Sequence, residues 1–203
     1  MRVAVLVSGS GSNLQAIIDA AAADPGYPAE IVLVLSDRPG VRGLERATAA
    51  GIPTAVVAWS DHPDRASFTT AVCDAIESSG AHGVVLAGFM RILSPEAVGR
   101  FPNRILNIHP SLLPAFPGGH AVPDALAYGA KVSGVTVHFV DEQVDHGPIV
   151  AQEPVAVADD DTEATLHARI QAVEHQLYPK VVADFAAGRL VVVDRHVRTQ
   201  EPQ

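Results

Sequence analysis

Residues 1–14, MRVAVLVSGSGSNL, run from an apolar stretch through a Gly/Ser turn and on to Asn13-Leu14, where a helical pattern begins. A strand that passes through glycines into a helix is the opening unit of a parallel α/β sheet. Backbone N–H groups at such a helix start have no partner in their own helix and can hold a phosphate, aided by the helix dipole. The turn departs from the dinucleotide fingerprint G-x-G-x-x-G, because Leu14 stands where the third glycine belongs. Ser12 and Asn13 add side-chain donors, which suits a phosphomonoester better than a pyrophosphate. The plain alternative is a tight strand-to-helix connection with no ligand.

Outward from this turn, short apolar runs alternate with helical patterns of about ten residues. Strands are predicted at Val3–Val7, Ile31–Leu35, Thr54–Val57, Gly83–Leu86 and Ile105–Ile108. Helices are predicted at Asn13–Ala23, Gly43–Ala50 and Arg65–Ser78, with a helical turn near Pro95–Gly99. After Ile108 the rhythm changes. A helix at Ala121–Tyr128 precedes strands at Val132–Val140 and Pro148–Val155, joined by an acidic loop that calls for antiparallel pairing. A long amphipathic stretch, Asp161–Ala187, carries Leu166, Ile170, Val173, Leu177, Val181 and Phe185 at spacings of three and four. Pro179 inside it is expected to kink or divide the helix near Tyr178. A last strand follows at Leu190–Val193, and the end of the chain reads as polar and frayed.

The fold class is therefore α/β: a Rossmann-like, mostly parallel sheet flanked by helices on both faces, with antiparallel strands in the C-terminal part. One domain is expected over 1–203. Within it, 1–100 form a phosphate-binding half, 101–193 a catalytic half, and 194–203 a polar tail.

Composition narrows the function classes. With 203 residues, 48% hydrophobic content, 16 Gly and 15 Pro, the chain can bury a core and is rich in turns. A net charge of −9 with only 14 scattered Lys and Arg argues against a nucleic-acid surface. No long uncharged apolar segment suggests a membrane span, and the N-terminus reads as a strand rather than a signal peptide. The single cysteine, Cys73, sits among small apolar residues and reads as helix packing. A cytoplasmic enzyme is the expectation.

The chemistry concentrates further along. In Asn107-Ile108-His109-Pro110-Ser111-Leu112-Leu113-Pro114, Asn107 and His109 are two apart on a strand and share a side, and the prolines end the strand. Asp145 lies in the acidic loop after Val135–Val140, where a carboxylate can orient and charge a histidine. Amide, imidazole and carboxylate together suit acyl transfer. The bland reading of the octamer alone, a Pro-rich loop with His109 bonded to a carbonyl, has equal weight until Asp145 is added.

Four segments, SGSGSNLQ (8–15), AGFMRILSP (87–95), NIHPSLLP (107–114) and VTVHFVDEQVDHGPIVAQ (135–152), together resemble the phosphoribosylglycinamide formyltransferase family of folate-dependent purine biosynthesis. The likeness spans nearly the whole chain. It implies transfer of a formyl group from 10-formyltetrahydrofolate, as co-substrate, to the amine of 5-phosphoribosylglycinamide. Catalytic roles carry over to Asn107, His109 and Asp145. Gly11, Ser12 and Asn13 would surround the substrate phosphate, with Gln171 reaching toward it. Gly88, Met90, Ile108 and Pro110 would line the glycinamide site, and Glu174 would hold the ribose hydroxyls. Arg91, Ile92, Leu93, Val98, Val140, Asp141, Glu142 and Asp145 would form the folate pocket.

The residue types agree with that chemistry. Attack by an amine on a formyl carbon builds negative charge on oxygen, for which Asn107 and a charged His109 are donors, and an excess proton that can leave through water near Asp145. No acyl-enzyme is needed, so Ser111 is read as bracing its loop. No metal is expected, since the nine histidines show neither H-E-x-x-H nor a cysteine pair. His138 is read as facing the pocket, and His120 and His146 as loop residues at its rim. His146 after Asp145 and Gly119 before His120 depart mildly from the family pattern.

The partners expected are small molecules, with no nucleic acid or membrane, and a homodimer is left open. Three alternatives stand beside this reading. A formyltetrahydrofolate hydrolase shares the Asn-x-His logic, but a regulatory domain would precede its catalytic domain, whereas this chain is read as beginning with that domain. A methionyl-tRNA formyltransferase would need an added domain and a basic surface. A nucleotide-binding regulatory module would use the glycine turn alone.

Overall fold

In this computed structural model, residues 1–201 are described, and they form one nine-stranded sheet with helices on both faces. The elements in chain order are β1 (Arg2–Val7), α1 (Ser12–Ala23), β2 (Glu30–Ser36), α2 (Arg42–Ala49), β3 (Thr54–Val56), a 3-10 turn (Trp59–Asp61), α3 (Arg65–Ser78), β4 (Gly83–Leu86) and α4 (Pro95–Arg100). They continue with β5 (Ile105–His109), α5 (Ala121–Tyr128), β6 (Val132–Phe139), β7 (Ile149–Ala156), α6 (Glu163–Ala186), β8 (Leu190–Val193) and β9 (His196–Thr199).

The strand order is β3-β2-β1-β4-β5-β6-β7-β9-β8. Strands β3 to β5 along this order are parallel, and β6 and β7 add antiparallel pairs. Because side chains alternate along a strand, β1 feeds both layers of the core. Val3, Val5 and Val7 join α1 and α6, through Leu14, Ile17, Leu166, Ile170 and Val182. Ala4 and Leu6 join α3, through Phe68, Val72, Cys73 and Ile76. Burial pushes the Cys73 thiol up to about 11, in keeping with packing rather than reactivity.

Two expectations from the sequence are corrected. Pro179 does not divide the long helix, because α6 runs unbroken from Glu163 to Ala186. The carbonyl of His175 loses its usual donor there, but Tyr178, Val181, Val182 and Phe185 around the proline are buried, and the Tyr27 hydroxyl donates to the Pro179 carbonyl at 2.7 Å. Packing on both sides of the proline outweighs one missing hydrogen bond.

Nor is 194–203 a free tail. Residues 194–195 turn the chain, and β9 pairs antiparallel with β8 and beside β7 through Ile149 and His196. The apolar run Leu190–Val193 needs a partner strand, and the polar-looking HVRT segment supplies it, with Val197 half-buried and His196, Arg198 and Thr199 exposed. The remainder of that expected tail, at 202–203, lies outside the described residues.

Candidate active site

The order of the strands reverses between β1 and β4, so the loops after these two strands splay apart and open a crevice at their carboxyl ends. One side of it is the glycine turn. Gly11 caps α1 at φ +66°, and a Cβ on it would meet the Gly43 backbone at 2.6 Å. The Gly43 N–H donates to the Gly9 carbonyl at 3.0 Å, which draws the turn onto α2. Helix α6 closes the same spot from far along the chain. Gln171 Nε2 donates to Ser12 Oγ and Asn13 Nδ2 donates to Glu174 Oε2, both at 2.9 Å. Asn13 Oδ1 is buried there without a partner. Gly11, Ser12, Asn13, Gln171 and Glu174 are thus one cluster.

The trio lies at the end of β5. His109 is 4% exposed. Its Nε2 is 2.9 Å from the Phe116 carbonyl, so this nitrogen carries a proton and donates. Its Nδ1 faces Asp145 Oδ2 at 3.4 Å. Asn107 lies opposite His138 of β6 in the strand register. The His138 Nδ1–H donates to the Phe139 carbonyl at 2.8 Å, which leaves Nε2 to accept from Asn107 Nδ2 at 3.1 Å. The other Asn107 amide hydrogen faces Asp145 Oδ1 at 3.5 Å, the limit of a hydrogen bond.

Asp145 sits at φ +51°, a left-handed conformation that aims its carboxylate back at β5. Burial alone would raise the carboxyl pKa. The Gly118 N–H at 2.7 Å and the charge of His109 oppose the effect of burial, and the carboxyl is held below the usual carboxylate range. His138 Nε2 is 3.7 Å from Oδ1, too far for a full hydrogen bond.

Beside the trio opens a cavity of about 440 Å³. Its walls include Gly88, Met90, Arg91, Ile92, Leu93 and Val98 on one side, Ile108 and Pro110 at the base, and Val140, Asp141, Glu142 and Asp145 on the other. Every residue expected in the folate pocket or the glycinamide site is therefore on one cavity. The sequence does not foresee how some of them present themselves. Met90 and Ile92 are 66% and 56% exposed, so they form a rim rather than a buried wall. The Met90 N–H donates to Ser8 Oγ at 2.8 Å, tying the two sides of the crevice together.

The Arg91 guanidinium is engaged outside the cavity. Its Nε donates to Asp37 Oδ2 at 2.7 Å, and its Cζ lies 5.0 Å from the centroid of the Trp59 ring. Asp37 is fully buried; burial would raise its carboxyl, but Ser8, Arg91 and Arg38 hold it below the usual range.

Sequence reasoning missed Asp37, the Phe116 carbonyl and the Gly118 N–H. For the two backbone groups no side-chain signal exists. For Asp37 the signal is a carboxylate at the carboxyl end of a predicted parallel strand, where ligands gather. Ser111 braces its loop as expected, with Oγ donating to the Ala115 carbonyl at 2.6 Å. Among the described residues no group of three or more His, Cys, Asp or Glu is placed to hold a metal ion, and no helix is long and apolar enough to cross a membrane.

The chain is similar in sequence and fold to known proteins. The family model described as "Formyl transferase" matches residues 1–182. The phosphoribosylglycinamide formyltransferase of Mycobacterium tuberculosis is 50% identical over 194 residues, 96% of this chain and 89% of that protein. The crystal structure of glycinamide ribonucleotide transformylase 1 from Symbiobacterium toebii superposes with a TM-score of 0.95 at 46% identity, covering 99% of this chain and 94% of that one. A formyltetrahydrofolate deformylase from Pseudomonas syringae pv. tomato also superposes, with a TM-score of 0.90, but at 25% identity and over 66% of its own length. With the family model matching residues 1–182 of the 203 and a half-identical relative covered almost end to end, the chain belongs to the formyl transferase family.

Proposed function

We propose that this enzyme transfers the formyl group of 10-formyltetrahydrofolate to the amine of 5-phosphoribosylglycinamide, giving the N-formyl product and tetrahydrofolate in purine biosynthesis. The observation that carries the reading is adjacency. The glycine turn at the start of α1 and a cavity of about 440 Å³ open on the same sheet edge, with Asn107, His109 and Asp145 on the cavity wall. Gly11, Ser12 and Asn13 hold the phosphate with Gln171, and Glu174 accepts from the ribose hydroxyls. Gly88, Met90, Ile108 and Pro110 guide the glycinamide arm. The backbones of Arg91–Leu93 and Val140–Asp145 edge the pterin, and Val98 packs against it.

The neutral amine attacks the formyl carbon, a C–N bond forms, and the carbonyl electron pair moves onto oxygen. The Asn107 hydrogen facing Asp145 at 3.5 Å is its least committed donor and turns to that oxygen. His109 adds its positive charge. The surplus proton passes through water beside Asp145 to the folate nitrogen, and the bond from that nitrogen to the formyl carbon breaks. The reactants are small molecules, the reaction uses no resident metal, and the cytoplasm is where its substrates would be met.

The Pseudomonas syringae relative makes hydrolysis of formyl-folate the second reading. Hydrolysis gives the cluster of Ser12, Asn13, Gln171 and Glu174 no task, because water carries neither phosphate nor ribose. Purified protein is assayed by absorbance with 10-formyl-folate, with and without phosphoribosylglycinamide. Deformylation that depends on the glycinamide supports transfer, and the same rate without it supports hydrolysis.

A further inference from the structure

The β8–β9 hairpin lies beyond the residues that the family model matches, yet its turn reaches the loop that carries Asp141–Asp145. The pairing of β9 beside β7 sets Arg195 against the loop that joins β6 to β7. Arg195 Nη2 donates to the His146 carbonyl at 2.6 Å, and its Nη1 lies 3.3 Å from His146 Nε2. The same ring is fixed from its other side, with Nδ1 2.7 Å from Asp141 Oδ2. The Nδ1 proton therefore goes to Asp141, and Nη1 lies against the ring nearly equidistant from its two nitrogens, at 3.4 Å from Nδ1. Asp141 Oδ1 accepts in turn from the Gln143 N–H at 2.9 Å. The contacts run from Arg195 through His146 to Asp141 and so bind the two ends of the loop to each other.

This loop has reason to need a clamp. Asp145 holds φ +51°, which a residue with a Cβ keeps only when its surroundings impose it. At Gly147 a Cβ would fall 1.9 Å from the Phe139 carbonyl oxygen, so the chain folds back on β6 with no slack. Asp141, Glu142, Gln143, Val144 and Asp145 all line the cavity.

We propose that Arg195 is a positioning residue for formyl-folate. It pins the His146 carbonyl and ring and so keeps the 141–145 backbone in the shape that receives the ligand. The inference rests on the folate reading of the cavity given above. Arg195 touches neither the catalytic carboxylate nor the cavity, and exposed contacts of this kind add little to global stability. Its loss therefore registers in ligand binding and not in folding.

The full chain is tested as wild type, Arg195→Ala, Arg195→Lys and Arg198→Ala, the last altering the same hairpin away from the loop. Steady-state constants are measured with both substrates, dissociation constants with 10-formyl-5,8-dideazafolate by titration calorimetry, and melting temperature by scanning calorimetry. Arg195→Ala should raise KM for formyl-folate and Kd for the analogue about fivefold or more, with kcat within about twofold and KM for the glycinamide unchanged. Arg195→Lys keeps a donor for the His146 carbonyl and should recover part of the loss, and Arg198→Ala should match wild type. Unchanged folate constants in Arg195→Ala would overturn the proposal. So would an equal rise in both KM values, or a large fall in melting temperature, since either means general loosening. If the wild type binds no analogue and shows no turnover, the folate reading fails, and the proposal fails with it.

Discussion

At Asp145 one carboxylate takes the Gly118 N–H on one oxygen and lies against Asn107 and His138 with the other. Replacing it by asparagine keeps the shape and removes the charge that faces His109. Asp145→Asn and His109→Ala should each lower kcat by a factor on the order of 10² or more, with little change in circular dichroism. Wild-type turnover in both would show the trio to be architectural.

The same residue carries a pH signature. Its folded carboxyl lies below the unfolded value, so its ionised form stabilises the fold above about pH 4 and that contribution is lost as the pH falls through the folded value. Wild-type melting temperature should therefore fall more steeply below pH ~4 than that of Asp145→Asn.

At the scale of elements, the α1 turn makes the sharpest demand. Gly11 needs both a left-handed φ and room against Gly43. Gly11→Ala should cost about 1–3 kcal/mol in chemical denaturation. It should also raise KM for phosphoribosylglycinamide several-fold while leaving KM for formyl-folate alone.

The elements of the N-terminal half were legible because their signals are local. Alternation, glycine turns and ten-residue helical patterns locate β1 to β5 within a residue or two. Pro179 misled because an isolated helix would break there, whereas α6 is held by Tyr178, Val181, Val182 and Phe185 in the core. Strand β9 was hidden because it earns its place by pairing, not by its own apolar pattern. That Asn107, His109 and Asp145 come together could be read from residue types and spacing. The contacts of Ser12 with Gln171 and Asn13 with Glu174 bridge 159 and 161 residues, and only the resemblance, not any local pattern, pointed to them. The backbone partners Phe116 and Gly118 leave no trace in side-chain identity at all.

Across the whole molecule, the sheet brings the glycine turn after its first strand, Asn107 and His109 of its fifth strand and Asp145 of the loop between β6 and β7 to one edge. The net charge of −9 leaves this edge to discriminate by local donors rather than by a general field. The central claim is that one formyl group passes directly between two bound small molecules, with the glycinamide amine as the acceptor. The most direct measurement follows the carbon itself, by NMR with 10-[13C-formyl]tetrahydrofolate and phosphoribosylglycinamide at a catalytic amount of enzyme. All of the label should move to the N-formyl resonance of the glycinamide product, with none released when the glycinamide is omitted. Label appearing as free formate at the same rate with or without the glycinamide would contradict the account.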